Sequence, residues 1–298
     1  MNSNARAAEQ IYRLLKKSNR VFCKYPSKYK PFCASAPNST YMNIRATCLK
    51  STQLVRRMYA ALLSPQYCML CDKPSKTALP LCAHCIERAL KPYTKDADTP
   101  LYGSSRCLHC GRPLISEQTY CTECRAQATN SSSGASHFCT RIFALYPYIG
   151  LGQKIMPAWK NHNIRSFAAV FAPLLASFIL QQPELRNIPV VPVPPRATKL
   201  RSKGWDQMQD ISRHISACSS ITVYPCLRRA GKIPQKQLSR NERMNNISHS
   251  ITVSAKRVPE ALIVIDDVMT TGATLEACAQ ALIAYGCKKV YGICLFFN

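Results

Sequence analysis

The segment from Ala261 to Leu275 constrains the fold of this chain more than any other. Apolar residues from Ala261 to Ile265 lead into two consecutive acids, Asp266 and Asp267, and a short run rich in Thr, Gly and Ala follows. From Leu275 to Tyr285 the apolar residues recur with helical spacing. This order predicts a buried strand, a tight loop and a helix N-terminus, as found at the carboxyl end of a strand in a parallel α/β sheet.

The predicted loop is suited to a phosphate group. A helix N-terminus offers unpaired backbone N–H groups and the positive end of the helix dipole. Gly272 permits a sharp turn or a close ligand, and three hydroxyl groups add donors: Thr270, Thr271 and Thr274. Carboxylates beside an anion site are consistent with a sugar phosphate, because they accept hydrogen bonds from vicinal ribose hydroxyls. The alternative is a buried strand that ends in two acids, followed by a threonine helix cap, with no ligand.

From Leu262 to Thr274 the segment resembles the phosphoribosyl pyrophosphate loop of type I phosphoribosyltransferases. The resemblance implies that Asp266 and Asp267 are catalytic and hold the ribose hydroxyls, directly or through Mg²⁺. It also implies that the loop binds the 5′-phosphate through Thr270, Thr271, Gly272, Ala273 and Thr274.

Eight of the 17 cysteines form four C-x-x-C pairs, arranged as an internal repeat with an offset of 39 residues. These eight are Cys68, Cys71, Cys82, Cys85, Cys107, Cys110, Cys121 and Cys124. Two pairs in each half supply four thiolates, enough for a closed structural zinc site, so we expect two Zn²⁺ ions rather than disulfides. The spacing leaves open whether the pairs that share an ion are sequential or interleaved. His84 and His109 lie inside pairs and could substitute as ligands, but they are expected at the surface, because four cysteines already complete each site.

The charge balance favours polyanionic partners. Lys and Arg number 40 against 15 acids, a net charge of +25, which suits nucleic acid, phosphorylated metabolites or an anionic membrane surface. The alternative is a basic soluble protein without such a partner. The chain has no apolar run of about 18 residues, so we expect no membrane-spanning helix. A hydrophobic signal core is missing from the N-terminus, which favours a cytoplasmic location.

Composition divides the chain into three parts. Residues 1–57 are basic and aperiodic and are predicted to be poorly ordered. They form either a nucleic-acid-binding arm or a segment upstream of a true start at Met58. Residues 58–126 contain the cysteines of the predicted double zinc ribbon. After a polar linker, residues 137–298 alternate strands and helices, which predicts a parallel α/β sheet. The predicted strands include Arg141–Ile149, Ile188–Val193, Ser220–Cys226 and Lys289–Phe296, and the predicted helices include Phe167–Gln181 and Asp206–Ser216.

From Cys68 onwards the pattern resembles the ComF family, also called GntX-like. In this family a small double zinc-ribbon module precedes a type I phosphoribosyltransferase-like parallel sheet flanked by helices. Two further segments carry the resemblance: Pro192-Val193-Pro194 with Lys203-Gly204-Trp205-Asp206-Gln207, and a loop containing Gln235, Leu238, Arg243 and Asn246. The family usually has Arg-Gly-aromatic-Asn-Gln, where this chain has Lys203 to Gln207. Lys203 can meet a phosphate only as a point charge, and Asp206 replaces a neutral amide.

The resemblance implies a phosphoribosyltransferase that binds phosphoribosyl pyrophosphate with Mg²⁺. Arg196 and Lys203 would face the pyrophosphate, and the basic loop Arg228–Asn246, with Arg243, would close over it or remain a solvated surface loop. The family also implies a role in competence, with single-stranded DNA and DNA-uptake proteins as partners. Three functions are therefore open: an enzyme, a non-catalytic DNA-binding competence protein, or a regulator that senses the metabolite. No residue marks the acceptor substrate.

Overall fold

The computed structural model describes residues 67–75, 79–90, 106–114, 119–129, 137–229 and 250–298. The predicted extension 1–57 lies outside these residues, and so does most of the basic loop, including Arg243. In chain order the described elements are α1 (Ala83–Ala89), α2 (Thr122–Thr129), β1 (Arg141–Pro147), α3 (Gln153–Lys160), α4 (Phe167–Gln181), β2 (Val190–Pro192), α5 (Ala197–Lys203), α6 (Gln207–Cys218), β3 (Leu227–Arg229), β4 (Ile251–Val253), β5 (Ala261–Met269), α7 (Ala273–Ala284) and β6 (Lys289–Phe297).

The predicted parallel α/β sheet is confirmed. Four parallel strands form it in the order β1-β6-β5-β2. Strand β6 lies in the interior of the sheet, between β1 and β5. This central position explains the apolar composition of β6, since a strand covered on both faces needs a continuous hydrophobic run.

Helices cover both faces of the sheet, and alternate strand residues divide between the two cores. Ile263 and Ile265 of β5 face the core formed with α4 and α6. Leu262 and Val264 face the other core, which contains the buried residues of α7. This alternation follows from the two-residue period of a strand and explains why β5 has no polar residue before Asp266.

The predicted strand Ser220–Cys226 is wrong in extent. Val223 makes a single parallel bridge to Val190, and the regular strand β3 begins only at Leu227, where it pairs antiparallel with β4. Pro225 lies between these two segments and has no N–H group to donate to a ladder, which accounts for the interruption. Strand β3 therefore includes Arg229, a residue that the sequence assigned to a loop.

No helix in the described part of the chain has the length and apolar character needed to cross a membrane. The longest apolar helix, α4, has 15 residues and is almost entirely buried against the sheet. Its hydrophobicity is therefore accounted for by packing in the core.

Candidate functional site

The eight paired cysteines form two clusters, and the sharing is sequential. Cys68, Cys71, Cys82 and Cys85 converge in one cluster, and the equivalent cysteines of the second repeat converge in the other. The Cys71 and Cys82 sulfur atoms are 3.8 Å apart, and those of Cys110 and Cys121 are 3.7 Å apart. Tetrahedral Zn²⁺ with bonds of about 2.3 Å requires sulfur separations close to these values. Both clusters therefore fit a closed structural zinc site.

The two repeats share one backbone geometry. The Cys68 N–H group donates to the Lys73 carbonyl, and the Cys107 N–H group donates to the Arg112 carbonyl, each at 2.9 Å. The turn requires a left-handed residue, which is Asp72 in the first repeat and Gly111 in the second. In each repeat the turn places both sulfur atoms of the first C-x-x-C pair on the same side of the chain. We call this turn with its two cysteines a zinc knuckle.

The first cluster is continuous with the main core on the α4 side of the sheet. Leu81 and Leu90, both fully buried, belong to that core. The Tyr146 hydroxyl of β1 donates to the Leu90 carbonyl at 3.0 Å. Loss of metal here should therefore loosen the packing of the α/β core.

The second cluster covers the outer edge of β1. The Ile142 N–H group donates to the His109 carbonyl at 2.6 Å, and Arg106 donates to the Ala144 carbonyl at 2.9 Å. A side chain at Gly111 would bring its Cβ to 2.6 Å from the Ile142 oxygen, so the close approach requires glycine there. The backbone contacts occupy hydrogen-bonding groups of an edge strand that would otherwise be unpaired.

His109 corrects the expectation that both histidines lie at the surface. His84 is exposed as predicted, but His109 is buried. Its Nε2 atom lies 2.9 Å from Oε1 of Glu276, in the first turn of α7, and its ring stacks on His137. The expectation failed because it treated the ribbon as a separate module, whereas this knuckle packs against the sheet and α7.

Asp266 and Asp267 lie near the carboxyl end of β5, beside the end of β2. Pro192 of β2 pairs with Ile265, the residue before Asp266. The Asp267 N–H group donates to Oδ1 of Asp266 at 2.8 Å. Burial raises the pKa of Asp266 from 3.8 to about 7, and the negative charge of Asp267 adds to the effect. At neutral pH the pair therefore holds a proton part of the time and gains from a nearby cation.

Lys160 supplies such a cation and was not identified as a site residue from the sequence. Its ammonium nitrogen lies 2.9 Å from Oδ2 of Asp267. Lys160 is the last residue of α3, a helix that follows β1 in the chain and ends beside β5. The sequence gives no signal for this contact, because 107 positions separate the two residues.

The residues predicted to bind phosphate are contiguous: Thr270 to Gly272 form the turn after β5, and Ala273 and Thr274 begin α7. Gly272 precedes α7 with φ of 80°, a left-handed conformation that disfavours other residues. The Ala273 N–H group lies 3.4 Å from the Thr271 hydroxyl oxygen. Arg112 of the second zinc knuckle donates a hydrogen bond to the Thr270 carbonyl. The loop is thus held on one side by the zinc module, while α7 begins on the other.

Two arginines add positive charge near the end of β2. Arg196 lies four residues after Pro192 and precedes α5. Burial lowers the pKa of Arg229, and the positive charge of Arg196 lowers it further, whereas the negative charge of Asp266 raises it. Arg229 is a second candidate site residue that the sequence did not indicate, because the residues around it were assigned to a loop.

A cavity of about 370 Å³ lies beside the loop that follows β5. Its lining includes Thr270 of the loop and Lys160, the partner of Asp267, and Tyr148 provides an aromatic wall. A smaller cavity of about 20 Å³ lies on the zinc-module side of the same loop. The loop therefore separates a space large enough for a small molecule from one that holds about one water.

The chain is similar in sequence to a known competence protein. The chain is 22% identical over 226 residues to the Streptococcus pneumoniae protein named Competence protein ComFC, an alignment that covers 75% of this chain and 96% of ComFC. The two cysteine clusters fit the double zinc ribbon expected from the resemblance. The resemblance to the ComF family is confirmed. No family model matches the chain.

Within the ComF-like segment around Trp205, the acid that departs from the family pattern has a structural role. Oδ1 of Asp206 accepts hydrogen bonds from the N–H groups of Met208 and Gln209, at 2.9 and 3.3 Å, and so caps α6. Its Oδ2 pairs with Lys199 at 2.7 Å. Both carboxylate oxygens of Asp206 therefore have protein partners. The helix cap and the ion pair explain an aspartate at this position without a contact to pyrophosphate.

Lys203 is the residue of the ComF-like segment that was predicted to face the pyrophosphate. Its ammonium group donates to the main-chain carbonyl of Lys160. Lys203 therefore connects the end of α5 to the end of α3, next to the residue that pairs with Asp267.

Proposed function

We propose that this ComF-like chain binds phosphoribosyl pyrophosphate together with Mg²⁺ and acts as a phosphoribosyltransferase. One observation carries the proposal: two acids at the end of β5 lie beside a left-handed glycine turn that opens α7. Carboxylates for a ribose and a backbone turn for a phosphate thus occur within seven residues, Asp266 to Gly272. The end of β2 with Arg196 lies alongside, where a pyrophosphate group would need positive charge.

Each part of the ligand has proposed partners. Asp266 and Asp267 hold the ribose hydroxyls, and Thr270, Thr271, Gly272, Ala273 and Thr274 hold the 5′-phosphate. Arg196, Lys203 and Arg243 face the pyrophosphate, and we add Arg229 to this group because it lies in the field of Arg196 and Asp266. Mg²⁺, when bound with the ligand, neutralises phosphate charge. The carboxylates are the residues of this chain suited to contact it.

The proposed reaction uses the same charges. The bond between the anomeric carbon and the pyrophosphate oxygen breaks, and the electron pair leaves with the pyrophosphate. Positive charge then develops on the ribose ring, where the carboxylates stabilise it, while the arginines stabilise the leaving group. An acceptor nucleophile then forms the new bond to the anomeric carbon. We propose that it occupies the cavity beside Tyr148.

The experiment compares phosphoribosyl pyrophosphate with ribose 5-phosphate, each added with Mg²⁺, in a thermal unfolding assay. The proposal expects a larger increase in Tm with the pyrophosphate ligand, because the arginines contact only that ligand. Equal shifts with both ligands would show that the pyrophosphate assignments are wrong. No shift with either ligand would overturn the site itself.

A second candidate function is DNA handling in competence, as the name of the relative suggests. The net charge of +25 favours a polyanion. We propose that single-stranded DNA binds this chain with or without turnover at the sugar-phosphate site, and that uptake proteins are further partners. Fluorescence anisotropy with a labelled oligonucleotide tests the idea. The affinity should fall steeply as salt rises, and absent or salt-independent binding would count against it.

A further inference from the structure

Three potential metal ligands outside the cysteine clusters converge where the second zinc knuckle meets α7. They are His109 of the knuckle, His137 before β1 and Glu276 in the first turn of α7. Their ligand atoms lie within 4.8 Å of one another. Two imidazoles and one carboxylate are a common ligand set for Zn²⁺ in sites that keep an open position.

The distances from the two histidines to Glu276 are close to those that a single ion requires. His109 Nε2 lies 2.9 Å from Oε1 of Glu276, and His137 Nδ1 lies 3.8 Å from the same oxygen. Tetrahedral Zn²⁺, with bonds of about 2.0–2.1 Å, separates its ligand atoms by about 3.3 Å. The two observed distances fall on either side of that value.

The three side chains are held in place by the surrounding structure. Oε2 of Glu276 accepts hydrogen bonds from the N–H groups of Phe138 and Cys139, at 2.7 and 3.1 Å. The main chain of Cys124 hydrogen-bonds the ring of His137. These outer contacts fix the orientation of ligands in protein metal sites, and here they leave Oε1 directed at both histidines. The rings of His109 and His137 stack with centroids 3.5 Å apart, and they must turn away from each other, to about 5 Å, to bind one tetrahedral ion.

A fourth position adjoins the cluster. The cavity of about 20 Å³ is lined by His109 and Glu276 on one side and by Thr271 and Gly272 of the phosphate loop on the other. That volume accommodates about one water molecule. A site with three protein ligands and one water can exchange that water for another ligand, unlike the closed cysteine clusters.

We propose that His109, His137 and Glu276 form a third metal site, which binds a divalent transition ion such as Zn²⁺ and ties the second zinc knuckle to the helix of the phosphate loop. The site is separate from the two cysteine clusters. It supplies a cation-dependent contact between the ribbon and the α/β sheet, and it does not depend on the proposed transferase activity.

The test is a titration of the full-length, metal-free reduced protein with Co²⁺, followed by absorption spectroscopy. Cobalt in a thiolate cluster gives intense sulfur-to-metal charge-transfer bands, whereas cobalt bound by imidazole and carboxylate gives only weak d–d bands. The proposal expects about three ions per chain, with one of them adding d–d absorption without further charge transfer. Saturation at two ions in the wild type would overturn it.

The variants identify the ligands. His137→Gln and Glu276→Gln should each bind about one ion fewer than the wild type and keep the full charge-transfer bands. His84→Gln is the matched control, because His84 also lies inside a C-x-x-C pair but is exposed. It should bind as many ions as the wild type. An additional ion retained by His137→Gln would overturn the assignment as adventitious binding. If a variant also loses the charge-transfer bands, its cysteine clusters are disturbed. The number of ions bound by the wild type then decides between two sites and three.

Discussion

The ammonium nitrogen of Lys160 lies 2.9 Å from Oδ2 of Asp267, so the end of α3 places a cation at the carboxylate pair. The Lys160 side chain is 35% exposed and the Asp267 side chain 14% exposed, which leaves the lysine room to move. A ligand with several phosphate groups can therefore draw Lys160 towards itself while the carboxylates turn to the ribose. We therefore expect Lys160 to contact the ligand in the proposed site.

Replacing Lys160 with methionine should weaken the binding of phosphoribosyl pyrophosphate. The variant retains the length of the side chain but removes the positive charge, so we expect Kd to rise about tenfold, or ~1.4 kcal/mol. Isothermal calorimetry measures this change. Lys154→Met is the control, because Lys154 is an exposed residue at the other end of the same helix. Equal affinities of the wild type and Lys160→Met for the ligand would show that Lys160 is not part of the site.

Asp266 should make the stability of the protein depend on pH near neutrality. Its folded-state pKa of about 7 exceeds the ordinary value of 3.8, so between these values the folded protein holds a proton that the unfolded chain has released. Stability therefore falls as pH rises through this window, by about 1.4 kcal/mol per unit, and levels off above pH 7. Asp266→Asn should lack this dependence.

The measurement is urea unfolding of the wild type and Asp266→Asn between pH 5.5 and 7.5. The variant should gain about 2 kcal/mol relative to the wild type across this range. Titrations of other groups, including those of the cysteine clusters, affect both proteins alike. They therefore cancel in the difference between the two free energies of unfolding. A difference that does not vary with pH would show that Asp266 is ionised throughout.

Replacing Gly272 with alanine should affect ligand binding more than the stability of the fold. Its φ of 80° strains any residue with a Cβ, at about 1–2 kcal/mol, although the added atom would meet only ordinary contacts at 3.8 Å. Gly272→Ala should also shift the backbone that contacts phosphate and abolish measurable binding. Gly286→Ala, also at a left-handed position but beyond the other end of α7, should lose similar stability and bind normally. Equal binding by both variants would contradict the assignment of the loop.

Arg112 should couple the second zinc cluster to the phosphate loop. It donates to the Thr270 carbonyl from the knuckle that follows Cys110. Arg112→Ala should leave the metal content unchanged and raise Kd for phosphoribosyl pyrophosphate about fivefold, or ~1 kcal/mol, because the loop loses a fixed position. Arg88→Ala, an exposed residue of α1 in the first ribbon, should change neither quantity. Metal loss from Arg112→Ala would indicate a purely structural role.

Local patterns were sufficient to predict the principal elements. The apolar run before Asp266, the glycine after it and the helical spacing from Leu275 lie close together in sequence, and the structure brings them together as strand, turn and helix. Helix α4 has the bounds predicted for it, because the segment from Phe167 to Leu180 is almost entirely apolar. The repeat of cysteines likewise identified both clusters, although not their sequential pairing.

Contacts between distant segments could not be predicted in this way. Lys160, Arg112 and His109 reach the site only because α3 and the second knuckle pack beside β5 and α7, and no short-range pattern encodes that packing. Arg229 was missed for a different reason. The polar sequence around it suggested a loop, whereas pairing of β3 with β4 fixes it where the charges of Arg196 and Asp266 act on its pKa.

The most direct test of the central claim is a calorimetric titration of the zinc-loaded protein with phosphoribosyl pyrophosphate and Mg²⁺, repeated with single-stranded DNA present. We predict saturable binding to the wild type and none to the Asp266→Asn/Asp267→Asn double variant. Circular dichroism and zinc content serve as controls for its folding. Equal binding by both proteins would contradict the assignment of the two acids to the ligand. No heat from the wild type alongside tight DNA binding would contradict the sugar-phosphate site and leave a DNA-handling protein on this fold.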